Sequence, residues 1–359
     1  MNRKLFYSAL VLIVIGMVMV YSSSSVMAES RFGSHIYFLK RQMLWLLFAI
    51  LAGAVILRLD LKKTAVYSVP ILLVMLVLLA AVFVMPARNG SHRWLFIGPF
   101  SVQPSELFKL SVLYYLAFSL SQKKRDIRDL RQLLIPYAPL IGAGLLLIIL
   151  EPGLGSALTI TLTVIAVFFL AGVRLFHLAA FAVPVATLIG FMVFVLGYKK
   201  ARVADYLDAI NDPLAGSYQV KQAVLTLGAG GVFGAGLGDG RQKLFFLPYP
   251  HTDFIFATIG EELGFAGLAI IMILFYVIIW QGRKIALYQP DRFGYLLGMG
   301  VTALIFISVL INVGVVTCLL PTTGIPLPLL SYGGTSLLVS IVCIAILLNL
   351  SCRKGVMVR

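Results

Sequence analysis

His251, Thr252 and Asp253 stand together at the head of a long apolar run that continues to Trp280. A carboxylate in that place can take a proton from a hydroxyl as a general base, or offer its oxygens to a divalent cation. The plainer reading is a helix N-cap, with Thr252 or Asp253 accepting the free N–H groups of the helix that follows. The two readings are compatible. Glu261 and Glu262 lie inside the same run, about 11–12 Å below Asp253 at ~1.5 Å of helix rise per residue. Carboxylates at such depth are expensive and face a bundle interior or a wet cavity. Adjacent residues on a helix point about 100° apart, so the pair cannot share one cavity. One is expected in a polar network, the other near a helix contact made through Gly260 and Gly264.

Glu106 and Lys109 form a second constellation, spaced i and i+3 so that both project from one helix face. An ion pair that satisfies itself is the structural reading. The functional one adds that a lysine can receive a phosphate oxygen as a point charge. Gln103-Pro104-Ser105 just ahead reads as a breaker and then a cap. Glu151-Pro152-Gly153-Leu154-Gly155 interrupts two apolar runs, and its composition favours a tight turn with an exposed carboxylate. The glycines at 228, 230, 231, 234, 236, 238 and 240 suggest a phosphate cradle. They fit neither GxGxxG nor GxxxxGK[ST] and follow no strand, so close packing of backbone on the bundle is expected instead. His35, His92 and His177 have no ligand spacing and predict no zinc site. Cys318, Cys343 and Cys352 are expected to be free thiols.

These groups need a scaffold, and the composition says which kind. Of 359 residues, 60% are hydrophobic and 12% charged, more apolar than a soluble core requires. The chain reads as an all-α polytopic membrane protein. Its net charge of +15 suggests nucleic acid, yet there is no basic arm or reading module to carry that role. The basic residues fall between apolar runs instead. Ten runs are long enough to span: Leu5–Val26, Met43–Leu57, Ala65–Met85, Leu107–Leu120, Leu133–Leu150, Ala157–Gly172, Leu175–Gly197, Phe254–Trp280, Phe293–Leu320 and Leu337–Leu350. The second, fourth and tenth are short and are expected to borrow flanking polar residues. The first resembles a signal peptide but is long for one, and reads as the first membrane helix. Most Lys and Arg, including Lys123, Lys124, Arg125 and Arg128, then fall on the N-terminal side of the membrane, which places both termini in the cytoplasm. Three outer segments remain. Residues 86–105 are polar but rich in Trp, Phe and Gly. A large loop over about 198–253 predicts a short helix near Tyr218–Leu227 and a glycine-rich re-entrant segment. Residues 321–335, with three prolines and no charge, predict backbone that re-enters the protein interior. The whole chain, 1–359, reads as one integral membrane domain.

Together these stretches resemble the SEDS family of bacterial cell-wall proteins, the group containing RodA, FtsW and SpoVE. The likeness covers nearly the whole chain: MVMVYSSSSVMA (17–28), FLKRQMLW (38–45), NGSHRWLFIGPFSVQPSELFKL (89–110), EPGLGSA (151–157), DPLAGSYQVKQA (212–223), FLPYPHTDFIFATIGEELGFAG (246–267) and NVGVVTCLLPTTGIPLPLLSYGGTS (312–336). HTDFIFAxxxEELG and PLPxxSYGG in combination are the specific signals. Glu151 departs from the Gln of many members, and Thr335 from their Ser. NGSHRW, VMVYSSSS and FLKRQ lean towards FtsW or SpoVE, while the short tails fit a RodA type equally.

The resemblance implies a ten-helix peptidoglycan glycosyltransferase in the bacterial cytoplasmic membrane, with its active site on the extracytoplasmic face. It would polymerise lipid II for cell shape or division. Asp253 matches the family's essential aspartate, and Glu106 and Lys109 its important pair. Forming a β-1,4 bond inverts the anomeric carbon, so one base suffices, unlike the two-carboxylate hydrolases. Asp253 is expected to be that base or to position Mg²⁺ or Mn²⁺. Lys109, Arg93 and Arg202 are expected to meet diphosphate charge. His251, Thr252, Gln103, Ser105, Ser331 and Gly333 are expected to support the site. The implied partners are a class B penicillin-binding protein transpeptidase and other elongation or division proteins. Two rivals fit a polytopic chain: a lipid II flippase and a non-catalytic scaffold for the transpeptidase.

Overall fold

The computed structural model describes residues 2–86, 91–98, 100–122, 130–195, 197, 200–212, 216–240 and 247–353. Lys123, Lys124, Arg125 and Arg128 of the basic loop, Lys354 and Arg359 of the tail, and parts of the large 198–253 loop lie outside the described residues. Each of the ten apolar runs forms a helix. They are α1 (Arg3–Phe32), α2 (Tyr37–Arg58), the composite α3 (Leu61–Thr64) with α4 (Ser68–Ala81), α5 (Pro104–Ser121), α6 (Leu130–Leu150), α7 (Leu154–Leu170), α8 (Leu175–Gly190), α11 (Ile255–Leu287), α12 (Arg292–Val316) and α13 (Gly334–Ser351). Two more, α9 (Lys200–Asn211) and α10 (Tyr218–Ala229), lie between α8 and α11. Among the described residues, seven helices are long and apolar enough to cross a membrane. The three short runs do borrow polar residues, starting at Tyr37, Pro104 and Gly334. α10 matches the expected short helix, whereas α9 answers no sequence expectation. One feature departs from an all-α fold: a hairpin of β1 (Leu95–Ile97) and β2 (Phe100–Val102), with Leu95 opposite Val102 and Ile97 opposite Phe100.

α13 is the central pillar. From Leu337 to Ser351 nearly every residue is buried, and it packs most extensively on α2, then on α12, α5, α11 and α1. The approach of α2 is tight at one end, where a Cβ on Gly334 would lie 2.2 Å from the Trp45 ring. At the other end the Asn349 amide donates to the carbonyls of Ile56, Leu57 and Leu59 at 2.9, 3.2 and 2.9 Å. Those carbonyls lie at the C-terminal end of α2 and its cap, where helix carbonyls run short of backbone partners. α1 begins with Asn2 accepting from Leu5 N–H at 3.0 Å and ends at Gly33 in the left-handed region. Of its serine run, Ser23 and Ser24 bond back to Met19 and Val20 carbonyls, which hides their hydroxyls in an apolar setting. Ser22 alone of these three reaches another helix, donating to the Glu262 carboxylate at 2.6 Å.

α11 is broken. Gly264 has φ 67° and ψ −170°, which divides it into halves 255–263 and 265–287. In a continuous helix the N–H groups of Phe265 and Ala266 would bond to the carbonyls of Glu261 and Glu262. Here Phe265 and Ala266 donate to Gly231 and Val232 at 2.9 and 3.0 Å, while the Glu261 and Glu262 carbonyls accept from Ala235 and Gly236 at 2.9 and 3.1 Å. The glycine-rich segment thus fills the break. The contact expected through Gly260 and Gly264 is with this segment and α10, not with a membrane-spanning helix: a Cβ on Gly264 would lie 2.3 Å from Gly234 N, and one on Gly260 2.7 Å from the Leu227 side chain.

A Cβ on Gly234 would lie 2.3 Å from the Glu262 carbonyl oxygen, and its φ is 81°. Gly234→Ala is therefore expected to cost at least about 1–3 kcal/mol, read as a lower thermal midpoint in detergent. Gly142→Ala, with no atom within 4 Å of the added methyl, should leave the midpoint level or slightly raised.

Candidate active site

The N-terminal half of α11 carries Asp253 two residues ahead of its first turn, but not as a cap. The capping position is Phe254, and no side chain accepts a helix N–H there. Among the described residues the Asp253 carboxyl has no hydrogen-bond partner, and it faces a cavity of about 70 Å³. Arg202, Gln219, Tyr249, Asn312, Thr322 and Thr323 line the same cavity. Withdrawal of water from the carboxyl pushes its pKa up to about 6, against the pull of the Arg202 and Arg93 guanidinium groups.

Two loops close over this carboxyl, and Asn312 ties them together. Its amide donates to the carbonyl of Asp253 at 2.9 Å and to that of Ile325 at 2.8 Å. Sequence reading passed over Asn312, although a lone amide inside an apolar run is a visible signal. Ser331 makes a second tie, donating to the Thr252 carbonyl at 2.7 Å and accepting from Leu327 N–H at 2.8 Å. Gln42 makes a third: its amide donates to the Ser331 carbonyl at 3.3 Å and its carbonyl accepts from Gly333 N–H at 3.2 Å. The Tyr332 N–H donates to the His251 carbonyl at 2.8 Å. Thr252 and Gly333 enter these ties through backbone groups and Ser331 mainly through its hydroxyl.

His251 does not join Asp253. Its ring is buried between Phe38, 4.6 Å away, and Tyr332, 5.5 Å away, and is absent from the Asp253 cavity. Burial first, then the charge of Arg31, lowers its pKa to about 4, so it is a neutral aromatic wedge. Arg202 is better placed: it lines the cavity and donates to the Thr322 carbonyl at 3.0 Å. Arg93 sits further back, donating to the carbonyls of Glu151 (3.0 Å) and Pro152.

Glu151 corrects the expectation of an exposed turn. It is 1% exposed, and its Oε1 has no hydrogen-bond partner among the described residues. Burial drives its pKa up to about 8, with Arg93 opposing. A neutral acid therefore stands at neutral pH where an exposed carboxylate was anticipated. The turn also approaches the 321–333 loop, since a Cβ on Gly155 would lie 2.6 Å from the Thr323 carbonyl.

Glu106 and Lys109 form the expected ion pair, 2.5 Å apart and almost wholly buried. They line a second, smaller cleft with Ser308, Ser336 and Ser340, and Ile325 borders both cavities. Ser105 does not cap α5. The capping position is Gln103, which presents no side-chain cap bond, and Pro104 begins the helix. Instead the Gln103 amide donates to Ser105 Oγ at 3.1 Å, while Gln103 N–H donates to Thr335 Oγ1 at 3.1 Å. That last bond joins the hairpin end to α13.

The sequence profile of the FtsW/RodA/SpoVE family, described as cell cycle protein, matches residues 2–355. Stage V sporulation protein E of Bacillus subtilis is 40% identical over 95% of this chain and 94% of its own length. The probable peptidoglycan glycosyltransferase FtsW of Geobacter metallireducens is 40% identical over 97% of this chain and 94% of its own. Among solved structures, one described as "Structural coordination of polymerization and crosslinking by a peptidoglycan synthase complex" superposes with a TM-score of 0.80 at 26% identity, covering 99% of this chain and 98% of that one. The rod shape determining protein RodA of Thermus thermophilus gives 0.72 at 26% identity, over 99% and 97%.

Glu151 carries a pH signature. The unfolded chain releases this proton near 4.5 and the folded chain holds it until about 8. Between those values the unfolded state binds fewer protons, so stability falls as pH rises. Asp253, raised from 3.8 to about 6, contributes in the same direction over a lower window. Glu151→Gln should therefore flatten the fall in thermal midpoint between pH 6 and 8 while leaving part of the fall below pH 6. A variant whose midpoint still drops as steeply as wild type across pH 6–8 would show that Glu151 is not the titrating group.

Proposed function

The chain belongs to the FtsW/RodA/SpoVE family of cell cycle proteins, and from that premise we propose a peptidoglycan glycosyltransferase whose general base is Asp253. The observation that carries the assignment is a water-poor carboxyl with pKa near 6, facing a polar cavity beside a guanidinium. A base works best when its pKa lies close to the working pH. The substrate is lipid II, and the reaction is one displacement. The 4-hydroxyl oxygen of the acceptor sugar attacks the anomeric carbon of the donor strand, and the bond from that carbon to the diphosphate oxygen breaks. Asp253 takes the hydroxyl proton, and undecaprenyl diphosphate leaves with the bonding electron pair. Arg202, on the cavity wall, is the cation placed to meet the diphosphate. Lys109, held by Glu106, lines the cleft behind Ile325.

A divalent cation suits the donor set in kind. Among the described residues no group of three or more His, Cys, Asp or Glu side chains could hold an ion alone. Asp253 shares its cavity, however, with Asn312 and Thr323, whose Oδ1 and Oγ1 atoms are buried without a hydrogen-bond partner. One carboxylate and neutral oxygens are what Mg²⁺ or Mn²⁺ takes when substrate phosphates complete its shell. Bound there, the ion would supply charge neutralisation of the leaving group. The same reading places the site on the extracytoplasmic face of the cytoplasmic membrane, and gives the chain a class B penicillin-binding protein as its transpeptidase partner.

Glycan-strand formation from purified lipid II, with and without the cognate transpeptidase, tests this. Asp253→Asn should lose about 10²–10⁴-fold in turnover with no fall in its thermal midpoint. Wild-type polymerisation should rise with pH through about 6, because the base form is populated only above the pKa. Transfer of lipid II across liposomes without polymer, even with the transpeptidase present, would instead favour a flippase. An Asp253→Asn protein that still polymerises would overturn the base assignment, and a wild type that forms no polymer but supports the transpeptidase with or without Asp253 would leave only a scaffold.

A further inference from the structure

The break in α11 leaves Asp253 at the head of a short half-helix, 255–263. The two helix bonds that the Phe265 and Ala266 N–H groups would make to Glu261 and Glu262 across Gly264 are replaced by four bonds to the glycine-rich segment. The orientation of the half-helix is therefore set by how that segment is seated. Glu262 is the side chain that seats it. One carboxylate accepts from Ser22 Oγ on α1, at 2.6 and 2.7 Å to its two oxygens, and from the backbone N–H of Gly238 at 3.0 Å. It is 1% exposed and does not line the Asp253 cavity.

We infer that Glu262 is a positioning residue for Asp253: through Ser22 and Gly238 it clasps the glycine-rich segment into the break at Gly264 and so fixes the half-helix that presents the base. The inference rests on the glycosyltransferase reading. Three requirements converge on it. The segment must approach backbone to backbone, which Gly230 and Gly234 permit, since a Cβ on Gly230 would lie 1.9 Å from the Gly260 carbonyl. The backbone groups it satisfies lie about 14 Å along α11 at ~1.5 Å per residue, and they lose their helical partners at the break. A carboxylate at that depth is costly unless its acceptors are filled. Ser22 on one side and Gly238 on the other fill them from two different parts of the chain, so α1, the segment and α11 are held by one group.

The test pairs amide hydrogen exchange over 231–238 and 257–263 with polymerisation kinetics on the full-length membrane protein. Glu262→Ala should lose protection in both stretches and about 10²-fold in turnover, the scale of a misplacement of about 1 Å, with apparent KM for lipid II little changed. Glu262→Gln keeps an acceptor for Gly238 and a donor for Ser22 Oγ, and should restore both protection and turnover. Ser22→Ala, which keeps the Gly238 bond, should fall between. Loss of turnover with the segment still protected overturns the inference, as does loss of protection with turnover intact, or a Glu262→Gln protein as impaired as Glu262→Ala. If wild type shows the protected segment but forms no polymer, the glycosyltransferase reading fails, and with it the role assigned to Glu262, while the exchange data still report on the clasp.

Discussion

Backbone N–H and C=O groups that sit at membrane depth must find partners within the protein, and this requirement governs the whole structure. Ten helices meet it internally along most of their length. The interesting chain is where they do not: the glycine-rich segment, the 321–333 loop and the turn at Glu151. Each is irregular backbone packed against the bundle, and each is tied to it at particular groups. The segment pairs with the broken half of α11, the 321–333 loop is held by Asn312, Ser331 and Gln42, and the Glu151 turn is held by Arg93. The candidate active site lies where one of these, the 321–333 loop, meets the turn that carries Asp253. A catalytic carboxyl needs polar walls in an apolar surrounding, and non-helical backbone supplies them.

The architecture was readable because membrane helices leave a one-dimensional trace. Asp253 at the head of an apolar run, and Glu106 with Lys109 at helical spacing, were legible for the same reason. What escaped depends on tertiary placement. The stretch GEELGFAG reads as continuous helix, and nothing local marks Gly264 as the residue that turns left-handed; only the arrival of a glycine-rich partner does. His251 was expected beside Asp253 from sequence adjacency, but residues two apart need not share a face, and its ring packs between Phe38 and Tyr332 instead. Glu151 looked exposed because Pro and Gly flank it, yet Arg93 and the Thr323 loop fold over the turn from remote parts of the chain. Asn312 was legible and overlooked, being one amide in a run of apolar residues.

The charges around the site are arranged so that few are left uncompensated. Glu106 neutralises Lys109 at 2.5 Å. Glu151 is held in its neutral form by burial, and His251 likewise. Asp253 is the exception: it lies within the field of two guanidinium groups, one of them on its own cavity wall, and has no partner that neutralises it outright. A single incompletely quenched carboxyl among otherwise silent groups is a chemically distinct point, and the loops are tied so that it faces the cavity.

The Glu106–Lys109 pair is built on one helix. Its opposite charges are carried three residues apart on α5 and owe nothing to α12, α13 or the loop residues Ile325, Pro326 and Pro328, which form the rest of the cleft. Had the partners come from two helices, separating those helices would strand a charge in low dielectric, and the bundle would resist opening there. As it is, the cleft can widen like a door whose bolt is mounted wholly on the frame. A bulky amphiphile entering between the helices would meet steric and packing resistance, but no electrostatic toll.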